Sequence, residues 1–325
     1  MDFNNFPEGD RIYDLYTGVY KPQIIRIALR LDVFSPLKAG PATAEFVAHV
    51  CNCNIVGIGR LLDYLTSINI LEKHDDKYSL SIETTTFLVR GEKAYTGNLI
   101  MDFIGLTPWE SIQESIRSGK PEHIDLEIHF AQDAWIESYR SVRIPSSLEM
   151  WAKAGIVPKI SLKLRLLDLA CGCAIKSMVL AQRSPNVKLT CLDTPQVLEV
   201  ARDLADRWGI LPQVGFLSGN LLTADLGNAE YDVTLLGQIT HYLTKQQNCE
   251  LFNRIYKALT PGGKLVLDVP MEKEQLNESS SFLTLILWAN SGGRAYTFDE
   301  YRSWLMETGF TSVDLLSERL LSAIR

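Results

Sequence analysis

The residues most capable of chemistry in this sequence are a turn of small residues, Ala170 to Gly172, and the carboxylate of Asp193. Each follows a short apolar run that is typical of a buried strand, 166–169 and 187–192, and a helix-like segment separates the two. Small residues let the backbone approach a ligand closely, and a carboxylate can accept hydrogen bonds from both hydroxyls of a ribose. The arrangement therefore predicts half of a nucleotide-binding βαβ unit.

The turn lacks the glycines of a phosphate-binding loop. Such a loop uses three glycines, so that backbone amides and a helix N-terminus face a pyrophosphate. Here only Gly172 is a glycine, and Ala170 and Ala174 stand where the other two would be. A ligand without phosphates, such as an adenosyl group that carries an amino acid, needs close approach but no anion site. That ligand is favoured, while Lys176 early in the helix keeps a phosphate ligand open as the weaker alternative.

His241 follows the fourth predicted strand and is a candidate general base. The pKa of a phenol is about 10 and that of imidazole about 6.5, so an imidazole can accept a hydroxyl proton at neutral pH. The alternative is that His241 only caps a helix or lies on the surface, because single histidines commonly have such structural roles.

The second half of the chain predicts an α/β fold. Further strands are expected at 213–217, 231–236 and 264–269, with helices between them and a final strand pair at 312–316 and 319–324. Alternating strands and helices make a mostly parallel, Rossmann-like sheet that is covered on both faces. Ligands of such sheets bind beyond the carboxyl ends of the strands. Four candidate residues fall at those ends: Ala170, Asp193, Asn220 and Gln238.

The first part of the chain predicts a winged-helix arrangement. Apolar residues recur at helical spacing over 11–31, where Pro22 is expected to interrupt them, and again over 43–50 and 55–68. A hairpin with a polar tip follows at 70–80. The last of these helices carries one base and one acid off its apolar face, which does not suit a phosphate-reading surface. We therefore expect packing, either on the second domain or across a dimer, rather than nucleic-acid binding. A homodimer is expected because the helices at 12–19 and 24–31 carry more apolar surface than so small a unit can bury.

Three segments are expected along the chain. These are a winged-helix-like dimerisation domain over 1–95, a helical linker over 96–160 that contributes to a substrate pocket, and a Rossmann-like catalytic domain over 161–325. Large side chains in and after the linker could line a pocket for a flat organic molecule. The candidates for its walls are Trp109, Trp135, Tyr139, Met150 and Trp288.

Composition restricts the class of protein. The chain has 325 residues, 46% of them hydrophobic and 22% charged, and its net charge of -7 argues against general nucleic-acid binding. No apolar run has the length of a membrane span and the N-terminus lacks a signal peptide's features, so a cytoplasmic, non-membrane protein is expected.

The six cysteines include two C-x-C pairs, Cys51/Cys53 and Cys171/Cys173, whereas zinc and redox motifs usually show C-x-x-C spacing. No metal site is predicted.

The sequence resembles the class I S-adenosylmethionine-dependent methyltransferases, and within them the two-domain small-molecule O-methyltransferases with an N-terminal winged-helix dimerisation domain. The resemblance runs nearly from end to end and rests on the order and spacing of nine motifs. They are ALRLDVFSPL, RLLDYLTSINIL, KYSLSIETTTFL, LDLACG, LDTPQVLEVA, FLSGNLL, ITHYL, LTPGGKLVLDVPM and GGRAYTFDEYRSWLMETGF. It implies S-adenosylmethionine as cofactor, a homodimer, and methyl transfer to a hydroxyl of a small aromatic or polyketide-like acceptor.

The resemblance also implies a role for each matching position. The cofactor positions are Ala170, Cys171 and Gly172 beside the amino-acid part, Asp193 at the ribose, Asn220 and Leu221 at the adenine, and Gly237 and Gln238 beside the methionine portion. His241 matches the base that removes the acceptor's hydroxyl proton, Asp268 matches an acid that orients this base, and Asn290 matches a substrate-contacting asparagine. The methyl carbon of a sulfonium is already electrophilic, so positioning and deprotonation are most of what the protein must add.

The sequence departs from the family pattern at several positions. Alanine replaces the usual glycine at 170 and 174, and Asn220 replaces an aspartate. The acid that commonly follows the histidine is replaced by Tyr242, and a second acid would fall at Ala295. These departures leave alternatives open: carbon methylation, a rearrangement without methyl transfer, or a ligand-binding winged-helix regulator. An NAD-dependent oxidoreductase is a further alternative, which the missing glycines disfavour.

Overall fold

A computed structural model describes residues 10–92, 95–97, 100–101, 109–121, 144–157, 159–272 and 278–325. The chain divides into two units, one with the described residues up to 101 and one with those from 109 onwards. The two described helices of the expected linker, Trp109–Ser118 and Ile144–Lys153, belong to the second unit. The boundaries at 95 and 160 stay predictions.

The first unit contains the helices and the hairpin that the sequence predicts. Its helices are α1 (Asp10–Thr17), α2 (Tyr20–Arg30), α3 (Ala44–Val50), α4 (Ile55–Ser67) and α5 (Ile82–Leu88). Its strands are β1 (Ala42–Thr43), β2 (Leu71–His74) and β3 (Lys77–Leu80), which form an antiparallel sheet of order β1–β3–β2. The helices α3 and α4 begin where Thr43 and Asn54 accept backbone N–H groups of the first turn, as capping residues do.

Pro22 does not interrupt the first helical segment, contrary to the expectation. The chain breaks between α1 and α2, and α2 begins at Tyr20. Pro22 therefore lies in the first turn of α2, where its missing N–H leaves no helical hydrogen bond unmade.

The second unit is built on a seven-stranded sheet of order β6–β5–β4–β7–β8–β10–β9. The strands are β4 (Leu164–Leu169), β5 (Val187–Asp193), β6 (Val214–Ser218), β7 (Tyr231–Gly237), β8 (Leu259–Asp268), β9 (Ser312–Ser317) and β10 (Leu320–Ile324). The first five run parallel, and β10 pairs antiparallel with both β8 and β9. The predicted Rossmann-like α/β fold is confirmed.

Seven described helices accompany this sheet. They are α6 (Trp109–Ser118), α7 (Ile144–Lys153), α8 (Ile175–Arg183), α9 (Pro195–Arg207), α10 (Lys245–Ala258), α11 (Glu278–Ser291) and α12 (Phe298–Thr308). The helix α11 was not predicted from the sequence. Its apolar run FLTLILWA covers more than two turns without the polar face that marks an amphipathic helix.

Successive residues of β4 bury their side chains in different hydrophobic clusters. Leu166 belongs to a cluster with Trp151 of α7 and Val179 of α8, whereas Leu167 belongs to one with Phe252 and Tyr301. Because successive side chains of a strand point to opposite faces, both faces of this sheet are buried. The strands β5, β4 and β7 are parallel neighbours in this sheet, so their carboxyl ends lie at the same edge.

The described residues contain neither a membrane-spanning helix nor a metal-binding cluster. Within them, no helix is both long and apolar enough to cross a membrane. No group of three or more histidine, cysteine, aspartate or glutamate side chains in that part of the chain could hold a metal ion. The six cysteines, all of which lie among the described residues, form no disulfide.

Candidate functional site

The turn that follows β4 has a left-handed backbone at three positions. Ala170, Gly172 and Ala174 have φ values of 51°, 57° and 53°. The N–H of Ala174 donates to the carbonyl of Cys171 at 2.8 Å, and α8 begins directly after Ala174. Glycine adopts this conformation readily, whereas alanine is strained in it. The two alanines therefore retain the backbone of a glycine turn, at a cost in free energy.

The carboxylate of Asp193, at the end of β5, fastens this turn. Its Oδ2 accepts the N–H of Gly172 at 2.9 Å, and its Oδ1 accepts the N–H of Thr194 at 2.8 Å. Burial raises the pKa of the Asp193 carboxyl, and the two backbone hydrogen bonds offset only part of the rise. Each carboxylate oxygen has a second lone pair, so Asp193 can still accept ribose hydroxyls. The turn and the acid that the sequence singled out are in direct contact.

A second carboxyl group, Asp168 of β4, lies beneath the turn. It is 3% exposed and accepts a hydrogen bond from the Ser177 hydroxyl of α8 at 2.5 Å. Burial raises the pKa of Asp168 to about 7, although the Ser177 hydroxyl and the charge of Lys176 favour its ionised form. Its observed role is structural, because its hydrogen bond joins β4 to the first turn of α8.

A cavity of about 190 Å³ adjoins the turn, and we call it the turn cavity. Its lining residues are Ala170, Leu192, Asp193, Thr194, Val197, Gly219, Asn220, Leu221, Leu222, Ile239 and Leu243. The structure thus brings four predicted cofactor residues together in one apolar-walled space. Asp193 is the one charged residue of this lining. A pyrophosphate is held by a three-glycine turn and a helix N-terminus, whereas only Gly172 of the three positions is a glycine here, so the turn cavity suits an adenosyl group without phosphates better than a dinucleotide.

Asn220 shapes the loop after β6. Its side-chain Oδ1 accepts the N–H of Leu222 at 2.8 Å, while the N–H of Gly219 donates to the carbonyl of Asp193 at 3.1 Å. Asn220 is exposed and also lines the turn cavity. The loop that carries the predicted adenine-facing pair is therefore held to the end of β5.

A second cavity, also about 190 Å³, is lined mainly by polar residues, and we call it the polar cleft. Its lining residues are Ser146, Ser147, Glu149, Met150, Lys153, Lys176, Asp268, Ser317, Arg319 and Leu320. The polar cleft unites Met150, a predicted acceptor wall, with Asp268, a predicted catalytic residue.

Gly237 and Gln238 stand at the end of β7. The backbone N–H and the side-chain Nε2 of Gln238 both donate to the carbonyl of Asp268 at 2.9 Å. Gln238 is left-handed, with φ of 59°. A Cβ at Gly237 would lie 3.1 Å from Nζ of Lys176, so the lysine occupies the space of the missing side chain. Strained backbone of this kind is common at functional sites.

His241 lies in a short 3-10 helix, Thr240–Tyr242, and is only 4% exposed. Its Nδ1 is buried and has no hydrogen-bond partner among the described residues. Its ring lies 4.3 Å from that of Tyr242. Burial, and to a lesser degree the positive charge of Arg319, lower the pKa of His241 to about 3. The imidazole is therefore neutral at physiological pH.

The carboxylate of Asp268 contacts Lys176, whereas the resemblance implied that it orients His241. Its Oδ2 accepts from Nζ of Lys176 at 2.6 Å, and both side chains are less than one fifth exposed. No hydrogen bond between Asp268 and His241 is found among the described residues. The pairing with Lys176 follows from charge, because a carboxylate so close to an ammonium gains more from it than from a neutral imidazole.

Of the other predicted acceptor residues, the structure describes only the side chain of Trp288. Trp135 and Tyr139, and the side chains of Trp109 and Asn290, lie outside the described residues. Trp288 is half-buried on α11, whose Ala289 carbonyl accepts from the Ser115 hydroxyl of α6 at 3.0 Å. The roles of these five residues stay predictions.

Two cations near the site were not assigned from the sequence. Lys176 was noted only as a weak sign of phosphate binding, and Arg319 only as the start of a strand. Arg319 donates to Oε1 of Gln238 at 3.0 Å and lines the polar cleft. No local motif marks either residue, because their partners lie far away in the sequence.

A carboxylate-fastened turn between β4 and α8, with a histidine after β7, fits a cofactor-binding α/β enzyme of the methyltransferase class. An O-methyltransferase domain model matches residues 157–311, and an O-methyltransferase dimerisation domain model matches residues 13–90. Together they span more than half of the chain. The protein belongs to the two-domain S-adenosylmethionine-dependent O-methyltransferase family.

Individual proteins resemble the chain over nearly its whole length. Acetylserotonin O-methyltransferase of Mus musculus is 26% identical, with 95% of this chain and 85% of the mouse protein covered. The tetracenomycin polyketide synthesis 8-O-methyl transferase of Streptomyces glaucescens is 26% identical, with 94% and 92% covered. The crystal structure of human N-acetylserotonin methyltransferase superposes with a TM-score of 0.79 at 19% identity, with 99% of each chain covered.

Gly172→Ala should lower the free energy of unfolding, whereas Ala170→Gly should leave it unchanged or raise it slightly. Gly172→Ala adds a methyl group that meets no atom within 4 Å, so its cost is that of a left-handed alanine, about 1–2 kcal/mol. Ala170→Gly relieves the same strain but gives the unfolded chain more freedom, which costs roughly 0.4–1 kcal/mol, so it should be neutral or slightly stabilising. Urea denaturation followed by tryptophan fluorescence measures both. Wild-type stability of Gly172→Ala would contradict the strained-turn interpretation.

Proposed function

We propose that the protein transfers the methyl group of S-adenosylmethionine to a hydroxyl oxygen of a small aromatic or polyketide-like acceptor. The observation that carries the proposal is the turn cavity, where Asp193 fastens the turn and no cation is present among the described lining residues. The names of the relatives fit this acceptor class, since one acts in polyketide synthesis and another on acetylserotonin. When bound, the cofactor supplies an electrophilic methyl group on a positively charged sulfur.

The cofactor's parts are assigned to residues that the structure brings together. Asp193 would accept the ribose hydroxyls, and Asn220 with Leu221 would face the adenine. The turn from Ala170 to Gly172 would let the backbone approach the amino-acid part. Gly237 and Gln238, at the end of the neighbouring strand β7, would lie on the other side of that part. Water would be excluded by the apolar walls of the turn cavity.

His241 is the proposed acceptor of the hydroxyl proton. Its buried environment lowers its pKa, which restricts the hydroxyls that it can deprotonate. A neutral imidazole has a lone pair on one ring nitrogen, which can accept a proton. Burial lowers the pKa of His241 to about 3, so the imidazole is a weak base toward an ordinary phenol. The lowered pKa therefore favours an acceptor whose hydroxyl is more acidic than a simple phenol.

Replacement of His241 tests its role as base. We expect His241→Gln to retain cofactor affinity and to lower turnover at least about a hundredfold, because the proton acceptor is lost. The wild-type rate should show no histidine ionisation between pH 5 and pH 8, because the depressed pKa of His241 leaves the imidazole neutral throughout. Steady-state rates over this pH range, with S-adenosylhomocysteine titration as the control for binding, measure both. An unchanged rate in His241→Gln would remove the general-base assignment.

Carbon methylation, or a reaction without methyl transfer, is the second candidate. The lowered pKa of His241 and the replacement of the two family acids by Tyr242 and Ala295 favour it. The mass of the product shows whether a methyl group was transferred. Treatment with strong acid then shows which atom carries it, because a methyl ether can be cleaved whereas a carbon-bound methyl group is retained.

We propose that the protein works as a homodimer joined through its first unit. The dimerisation model covers residues 13–90, and this unit exposes apolar side chains of α1 and α2, including Leu15 at 67% and Ile27 at 45%. Exposed apolar patches of this kind commonly mark protein interfaces. Sedimentation at micromolar concentration should show a dimer, and a monomer would contradict the proposal. A cytoplasmic location stays a prediction from the sequence.

A further inference from the structure

The charges of the side chains that line the polar cleft do not sum to zero. Three cations, Lys153, Lys176 and Arg319, and two carboxylates, Glu149 and Asp268, line it. Lys153 pairs with Glu149 at 2.7 Å, and Lys176 pairs with Asp268 at 2.6 Å. The cleft thus keeps one excess positive charge, although the whole chain carries a net charge of -7.

The excess charge belongs to Arg319, in the turn between β9 and β10. Among the described residues its guanidinium makes one hydrogen bond, from Nη2 to Oε1 of Gln238 at 3.0 Å, and no ion pair. A guanidinium has five N–H donors in a planar fork, so Arg319 retains enough donors to bind a carboxylate through two parallel hydrogen bonds. Its charge also reaches the catalytic region, because it contributes to the lowered pKa of His241 after the larger effect of burial.

Lys176 places a second cation at the same end of the sheet. Its Nζ lies 3.1 Å from the position that a Cβ at Gly237 would take. Gly237 is at the strand end that is proposed to adjoin the cofactor's amino-acid part. The backbone around it is held, since the indole N–H of Trp151 donates to the carbonyl of Lys176. Its side chain is 17% exposed and lines the cleft. An ammonium has three N–H donors and Asp268 accepts from one, so another can bind a ligand without breaking this pair.

We propose that Arg319 and Lys176 form a carboxylate-binding site in the polar cleft. The inference rests on the proposed function, because it assigns the anion to a molecule of the methyl-transfer reaction. Two sources share this chemistry: the carboxylate of the cofactor's amino-acid part, and an acid group on the acceptor. Arg319 is the principal anchor, since it has no carboxylate partner among the described residues and its fork matches a carboxylate in geometry.

Calorimetric titration of the full chain and of Arg319→Gln with two pairs of probes tests the site. The cofactor pair is S-adenosylhomocysteine and methylthioadenosine, which lacks the amino-acid part. The acceptor pair is 3-hydroxybenzoate and its uncharged amide, each added to protein saturated with S-adenosylhomocysteine. We expect Arg319→Gln to weaken the carboxylate member of at least one pair at least tenfold and to leave its uncharged partner within about twofold, because hydrogen bonds to charged groups are lost.

The pair that responds identifies the source of the carboxylate. A loss confined to S-adenosylhomocysteine assigns the site to the cofactor, and a loss confined to 3-hydroxybenzoate assigns it to the acceptor. Equal effects on the charged and uncharged members of both pairs, or no effect on either pair, would overturn the proposal. Because binding is measured without turnover, absence of methyl transfer would refute the proposed function while leaving this result standing.

Two further variants separate charge from structure. Arg302→Gln removes an exposed arginine of α12 that does not line the cleft and should change no affinity. Arg319→Lys keeps the charge without the fork and should fall between wild type and Arg319→Gln. If Arg302→Gln weakened the carboxylate probes as strongly as Arg319→Gln, the effect would reflect the overall charge of the protein, and the proposed site would be wrong.

Discussion

The two backbone hydrogen bonds accepted by Asp193 are the interaction on which the cofactor side of the structure depends. They join the turn after β4 to the end of β5 and hold Gly172 and Thr194 in fixed positions. The turn needs this support because two of its three left-handed residues are alanines. The same carboxylate faces the turn cavity, so one side chain both fastens the backbone and offers acceptors to a ligand.

The acids around the catalytic region are largely engaged in structural contacts. Asp168 holds the first turn of α8 through Ser177, and Asp268 is paired with Lys176. His241 consequently has no carboxylate hydrogen-bonded to it among the described residues, and burial leaves its imidazole a weak base. The unbalanced charge of Arg319 lines the neighbouring polar cleft. Under the proposed function, a weak base beside an excess positive charge would suit acidic acceptors, whose anions need stabilisation more than deprotonation.

The sheet could be predicted from the sequence because its central strands are buried on both faces and therefore appear as largely apolar runs, such as 233–236. The residues Ala170, Asp193 and Asn220 could be predicted together because they lie at the carboxyl ends of strands, whereas Leu221 was implied only by the family resemblance. The pairing of Lys176 with Asp268 could not, since it joins residues that lie 92 positions apart and depends on the strand order. The helix α11 was missed because an all-apolar run shows no period, and Pro22 was misread because a first-turn proline does not break a helix.

Calorimetric titration of wild-type protein and Asp193→Ala with S-adenosylhomocysteine and NAD tests the central claim, that the turn fastened by Asp193 binds an adenosyl ligand without phosphates. The account predicts micromolar binding of S-adenosylhomocysteine to the wild type, its loss in Asp193→Ala, and no binding of NAD. Binding of NAD, or S-adenosylhomocysteine binding that does not depend on Asp193, would contradict the account.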